Sequence, residues 1–324
     1  NWYMWDSMRG WHVGRDSEIL EANDNGSEDN QDLLWPQSDG FKLNYSLANV
    51  NGSGNNYIYM AIRRGTKVPE SATEVFDPIE ANNSAGTFNT TGFPVDLQIF
   101  KPLYDSSGSE DWFVNDRMRG VETLSTQNGQ SGPYLKTNTT SAETNNYMTM
   151  GWTNEGFRTP SGGFPNDNVI YYNWKRAPGY FDMVAFTATT SANRRLEHNL
   201  GVAPEMAWVK RRDGSRNWYV YHKDLGDVSY GSRDYRLYIN STSAKLGPVY
   251  DIWGTSDPTA TDFGLNENDV VGVNGAKCIA YLFATLPGIS KVGGYTGNGT
   301  SGRVIDCGFS SDARFILIKG ADIG

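Results

Sequence analysis

The stretch EANDNGSEDNQD, residues 21–32, sets Glu21, Asp24, Glu28, Asp29 and Asp32 among Asn and Gly. Carboxylate oxygens on a flexible loop are the ligands a hard divalent cation takes, so Ca²⁺ is the candidate ion, with Asp24, Glu28, Asp29 and Asp32 as its candidate ligands. The spacing does not follow an EF-hand loop, and a solvated acidic loop is the preferred reading. Beyond that weak Ca²⁺ site, no cofactor is expected.

Other reactive residues are sparse. The three histidines, His12, His198 and His222, have no zinc-type spacing, and there is no Cys-x-x-Cys. No Gly-x-Ser-x-Gly elbow is present, and no Gly-x-x-x-x-Gly-Lys loop. GVNGAK at 272–277 runs straight into a β-type segment and reads as a hairpin turn. A glycosidase needs two carboxylates facing across a cleft; the acids here do not recur between the repeats described below. No catalytic residue is therefore expected, and the chain reads as a non-enzyme. Cys278 and Cys307 are read as free buried thiols rather than a disulfide. Asn89, Asn138, Asn240 and Asn298 head Asn-x-Ser/Thr triplets, read as turn-rich loops before glycan acceptors. The best candidates for molecular contact are aromatic: Trp5, Trp11, Tyr221 and Trp253. Such rings stack on sugars or anchor interfaces, and packing between adjacent units explains them equally well.

The elements that must position these residues follow from composition and pattern. The chain has 324 residues, 13% of them aromatic, with 36 glycines and a net charge of −9. Lys and Arg are scattered, which removes the clustered positive charge that nucleic-acid binding needs. No window approaches the roughly 18 apolar residues of a membrane span. Short apolar runs alternate with Gly-, Asn-, Ser- and Thr-rich turns, and no helical period persists, which predicts an all-β fold.

The runs repeat. NWYMWDSMRG (1–10), DWFVNDRMRG (111–120) and NWYVYHKDLG (217–226) place Trp2, Trp112 and Trp218 at 110- and 106-residue spacings. A Lys-ended strand precedes the Trp strand: GFPVDLQIFK (92–101), GVAPEMAWVK (201–210) and, near the end, GFSSDARFILIK (308–319). After it come a Leu-bearing segment, a short Gly-Phe or Asp-Phe strand, and an aromatic strand: NYIYMAIRR (56–64), NVIYYNWKRAPGYFD (168–182), KCIAYLFATLPGISK (277–291). The last two share a Pro-Gly turn. Ordered matches at one period predict duplication of a domain-sized unit. The expected architecture is three tandem antiparallel β-sandwich repeats of about 110 residues. Repeat 1, lacking its first strand, spans 1–92, repeat 2 spans 93–203, repeat 3 spans 204–311, and 312–324 opens a further repeat.

On the Trp strand, one face carries Trp2 and Met4, Trp112 and Val114, Trp218 and Val220, and is expected to face the core. The other carries Tyr3, Trp5, Phe113, Asn115, Tyr219 and Tyr221, expected at an exterior, an interdomain contact or a binding surface. Joined end to start, the chain reads as one more Lys strand followed by a Trp strand. A fragment cut mid-unit at both ends is the preferred reading. The alternative pairs residues 314–319 with the first unit of the same or a neighbouring chain.

The blocks at 1–10, 57–64, 178–184, 200–210 and 217–221, with the Gly-rich hairpin at 293–302, resemble a repeat domain of bacteriophage virion proteins, tail-fibre-like proteins of marine phages and cyanophages. Residues 66–88 depart from it. The resemblance implies a lectin-like (concanavalin-like) sandwich in an extracellular virion structure and brings no catalytic residue. The expected role is structural and adhesive. Tail fibre or spike engaging the host surface comes first, capsid decoration or head fibre second, and a glycan-degrading tailspike or a secreted lectin are the rivals. Expected partners are other virion proteins, copies of the chain itself (a homo-oligomer, for which a trimer fits) and host surface glycan, with no nucleic acid and no membrane insertion.

Overall fold

The computed structural model describes residues 2–6, 11, 16–37, 40–45, 48–62, 67–82, 87–103, 110–120, 132–146, 151–159 and 168–323. His12 and most of the loop at 159–168 lie outside them. The fold is all-β, with several antiparallel sheets. The chain forms two compact units: 1–65, 79–136 and 143–175 in the first, 66–78, 137–142 and 176–324 in the second. Boundaries after residues 92, 203 and 311 do not delimit these units. The reason lies in the pairing: Phe76–Asn82, assigned by sequence to the first repeat, sits at the edge of the sheet built around Leu97–Pro102.

That sheet has six strands in the order Thr144–Asn146, Gly132–Lys136, Phe113–Asp116, Leu97–Pro102, Asn168–Trp174, Phe76–Asn82. The Lys strand Leu97–Pro102 lies between the Trp strand, where Phe100 faces Phe113, and the aromatic strand, where Phe100 faces Tyr171. Phe100, Phe113, Tyr134 and Tyr171 form the core with Trp152 and Phe157 from a smaller three-stranded sheet. The first unit also contains a hairpin sheet of Tyr3–Met4, Ser17–Glu21 and Asp29–Gln31, and a two-stranded ribbon of Leu34–Pro36 and Phe41–Leu43.

The second unit has a five-stranded sheet in the order Phe181–Thr187, Lys277–Phe283, Met206–Arg211, Tyr219–His222, Leu237–Tyr238. Its core takes Val209, Tyr221, Ala280 and Leu282 from this sheet and Leu196, Phe263 and Leu265 from the ribbon of Arg194–Glu197 and Asp262–Leu265. Glu267 anchors the helical turn Glu267–Val270. Its buried carboxylate accepts the Thr189 and Ser191 amides at 2.8 and 3.0 Å.

The registers of the two large sheets coincide. Val209 faces Tyr219 and Ala280 as Phe100 faces Phe113 and Tyr171. Val220 pairs with Leu237 as Val114 pairs with Leu135, and in the N-terminal hairpin Met4 pairs with Leu20. Asn23 Oδ1 accepts the Trp2 amide at 2.7 Å, and Asn240 Oδ1 accepts the Trp218 amide at 2.8 Å. The Pro-Gly turns also match: Ala177 bridges Phe181, and Leu286 bridges Ser290, with Gly179 and Gly288 at φ of 74° and 76°. Only glycine takes that left-handed corner without strain.

The face assignment of the Trp strand is corrected. Phe113, Tyr219 and Tyr221, expected outside, line the main cores. Val114 and Trp218 on the opposite face are buried as well, because the sheet is covered on both sides there. Trp218 stacks on Tyr281 with ring centroids 6.2 Å apart, and Trp112 on Tyr172 at 6.3 Å. Trp2 is 62% exposed.

Candidate functional site

The acidic loop belongs to the N-terminal hairpin. Tyr3 pairs with Glu21 and Ile19 with Asp29. Strand alternation therefore puts Tyr3, Ile19, Glu21, Asp29 and Gln31 on one face. With Asp24 and Leu33 they line a pocket of about 300 Å³, at the low end of the ~300–1,000 Å³ range of small-ligand pockets. The lining combines a phenol ring and aliphatic groups with carboxylate and amide oxygens. That chemistry accepts hydrogen bonds from hydroxyl or amine groups of a ligand lying on the ring.

The four Ca²⁺ candidates do not converge. Asp24 and Asp29 accept the amides of Asn25 and Asn30 at 2.8 Å, and Asp29 also takes Gln31 Nε2. Asp32 turns away: Trp35 Nε1 and Asn44 Nδ2 occupy its two oxygens. Glu28 is exposed and is not among the pocket-lining residues. Among the described residues no three His, Cys, Asp or Glu side chains come together as a metal site requires.

The aromatic candidates divide. Trp5 and Trp11 are half-buried and pack on the small cluster of Ile19, Leu33 and Leu34. Trp5 contacts Tyr3 at 5.8 Å, and Trp11 Nε1 donates to Leu34 O at 3.0 Å. They support the pocket-bearing hairpin. Tyr221 and Trp253 are not surface residues. They pack edge to face at 5.8 Å inside the second core, and Trp253 Nε1 donates to Tyr235 O at 2.7 Å. A β-strand places alternate residues on opposite faces, and sequence alternation alone did not say which face the second sheet covers.

Outside the pocket, burial shifts ionisable groups of the second unit. Burial lowers the pKa values of His198 and His222 below the ordinary imidazole value. Burial also pushes the Cys278 thiol up to about 12, which suppresses the nucleophilic thiolate. Cys278 and Cys307 are both free; Cys278 is buried, as expected, while Cys307 is partly exposed.

One polar device was missed at the level of residue types. Lys210, fully buried, donates from Nζ to the carbonyls of Thr140, Arg211 and Arg216 at 3.1, 2.9 and 3.0 Å. Lys319 Nζ donates in the same way to Thr242 O. Thr140 and Thr242 hold the same place in NTTSA and NSTSA. The signal was present in the Lys that closes each repeated strand and in the Asn three residues after each Leu of the following segment, at Leu20, Leu135 and Leu237.

No curated protein and no solved structure matches the chain. The family model described as "Domain of unknown function (DUF7483)" matches residues 1–64 and 176–324. By that match over more than half its length, with the paired registers lying partly inside the matched segments, the chain belongs to the DUF7483 family.

Proposed function

We propose that this chain is a non-enzymatic structural and adhesive component of a bacteriophage particle, with a tail fibre or spike engaging the host surface as the first assignment. It is built from one sheet-on-sheet module copied in tandem. The observation that carries the modular part is the common register: Lys, Trp and aromatic strands pair residue for residue alike in the two large sheets. The N-terminal hairpin repeats the Trp–Leu pairing and its Asn cap. The resemblance of the same blocks to virion repeat domains supports the particle. Tandem rigid modules raise the effective concentration of weak contacts, which suits adhesion to a surface bearing many copies of a receptor. The pocket at Tyr3, Glu21, Asp24 and Asp29 offers an aromatic face and acceptors to a hydroxyl-rich ligand such as host glycan.

Two measurements test this. Antibody labelling of purified particles, imaged by electron microscopy, is expected to mark tails. Marking of the head moves the assignment to a capsid fibre or decoration, and absence from particles ends the virion reading. Binding to host-surface polysaccharide is expected to fall at least tenfold in Asp24→Ala. Release of reducing ends at enzymatic rates would replace the adhesive reading with a degradative one.

A further inference from the structure

Two identical tripeptides of this chain stand in different surroundings. Asn25-Gly26-Ser27 and Asn51-Gly52-Ser53 share an Asn-Gly step, which also occurs at 128–129, 274–275 and 298–299. The step at 128–129 lies outside the described residues. An Asn-Gly step can react with itself. The glycine nitrogen attacks the asparagine Cγ, and glycine has no Cβ to block the approach. The reaction needs two freedoms. The glycine N–H must give up its proton, and the asparagine side chain must swing over the nitrogen. A hydrogen bond on either group opposes it.

The fold withholds these freedoms at most of the steps. Gly52 N donates to Tyr57 Oη at 2.7 Å, and Asn51 Nδ2 donates to Tyr45 O at 3.2 Å. Gly275 N donates to Ala188 O at 2.8 Å. Asn298 Oδ1 accepts the Thr300 amide at 3.2 Å, which holds that side chain. Asn25 differs from all three. Asn25 and Gly26 are exposed, and among the described residues no group accepts the Gly26 amide or binds the Asn25 side chain. The openness follows from the repeat. Residue 25 stands five after Leu20, as Thr140 and Thr242 stand five after Leu135 and Leu237. Lys210 and Lys319 take the carbonyls of those two threonines. Lys101, the next strand-closing lysine after residue 25, donates instead to Glu110 O.

We propose that Asn25 is a self-modifying site, converted to aspartate and isoaspartate by its own backbone. Gly26 N forms a bond to Asn25 Cγ and loses its proton. The Cγ–Nδ2 bond breaks, and Nδ2 leaves with that proton as ammonia. The five-membered succinimide left behind takes up one water, which opens it at either carbonyl. One opening gives aspartate. The other gives isoaspartate, in which the main chain runs through the side-chain carbon. Water is the only co-reactant, and nothing is oxidised or reduced. The product sets a carboxylate between Asp24 and Asp29, which line the hairpin pocket, and raises the negative charge of that loop. Neither particle location nor glycan binding enters this chemistry.

The experiment ages the folded full chain in mildly alkaline buffer and follows each Asn-Gly step by peptide mass spectrometry. Asn25 is expected to convert about tenfold faster than Asn51 or Asn274, the factor that one retained hydrogen bond imposes on a rate. An isoaspartate-specific methyltransferase is expected to label residue 25 first. Asn25→Gln, which keeps the amide but lengthens the side chain beyond the five-membered ring, is expected to abolish that label. In urea-unfolded chain the rates at Asn25 and Asn51 are expected to become equal, since the tripeptides are identical. Equal rates at Asn25 and Asn51 in the folded chain overturn the proposal. So does a difference that persists unchanged in urea, which would assign it to sequence rather than to the fold.

Discussion

The layers Asn115–Gln98–Asn173 and Tyr221–Ala207–Leu282 occupy one register position in the two large sheets. All six side chains are buried, yet the first layer is amide and the second apolar. In the first unit Gln98 Nε2 donates to Asn173 Oδ1 at 2.7 Å, and Asn173 Nδ2 donates to Tyr171 O at 3.3 Å. The three amides lie two residues along from Phe113, Phe100 and Tyr171, on the strand face that carries the aromatic core. In the second unit the core runs through the layer without interruption. The difference teaches that pairing register survives a complete change of side-chain chemistry at a buried layer. Flanking layers and turns fix the register, and the layer itself holds either apolar packing or amides, even though Gln98 Oε1 stays buried there without a hydrogen-bond partner.

The sharpest test compares the three equivalent tryptophans. Trp218→Ala, in a fully buried stacked site, is expected to destabilise the second unit by about 3–5 kcal/mol in urea unfolding. Trp112→Ala, half-buried, is expected to cost less, and Trp2→Ala no more than about 0.5 kcal/mol, as for an exposed side chain. Equal losses at all three positions would mean that the exposures do not describe the folded chain. The layers come next. Leu282→Asn brings an unmatched amide into the apolar layer and is expected to cost about 3 kcal/mol, combining lost burial with an unsatisfied polar group. Asn173→Leu removes the acceptor of Gln98 Nε2 and is expected to cost about 1–3 kcal/mol. The pair Gln98→Ala with Asn173→Leu, which copies Ala207 and Leu282, is expected to recover most of that loss, read as a coupling energy in a double-mutant cycle. A double mutant no better than the sum of the singles would show that the amide layer is needed for more than mutual satisfaction.

Lys210→Met strips one ammonium from three buried carbonyls, at an expected cost of about 1–3 kcal/mol. Amide exchange at residues 137–142 should speed up first, because Thr140 loses its donor. The smallest effect is the pH dependence. Burial holds His198 below its ordinary value of 6.5. The unfolded chain therefore takes up a proton before the folded one does. That contribution is complete above pH 6.5 and is lost as pH falls through the lowered native value. The urea midpoint of the second unit should drop more between pH 7.5 and 5.5 in the parent than in His198→Gln; identical drops would show that His198 does not carry the slope.

Much of the fold was legible because it is written locally. Alternation and turn residues gave the all-β class. The ordered recurrence of Lys, Trp, Leu and aromatic segments marked the strands that pair in a common register. The candidate site was legible only in part. The acidic loop was visible, but Tyr3 and Ile19, which line its pocket, are residues whose types carry no signal of it. Tyr221 was ambiguous because an aromatic in an alternating strand looks the same on a covered face and on an open one, and Trp253 lies in a turn, where no alternation applies.

The sequence by itself determined the strands, the turns and the period of repetition, since each depends on side-chain alternation and backbone preferences over a few residues. Only the tertiary structure decided which face of each strand is core and how the strands group into two units. The same holds for the matching Trp strands that end up buried in one place and exposed in another. Those outcomes depend on partners far away in sequence, such as Leu282 beside Asp182 and Arg216 beside Thr140, whose proximity no local pattern encodes.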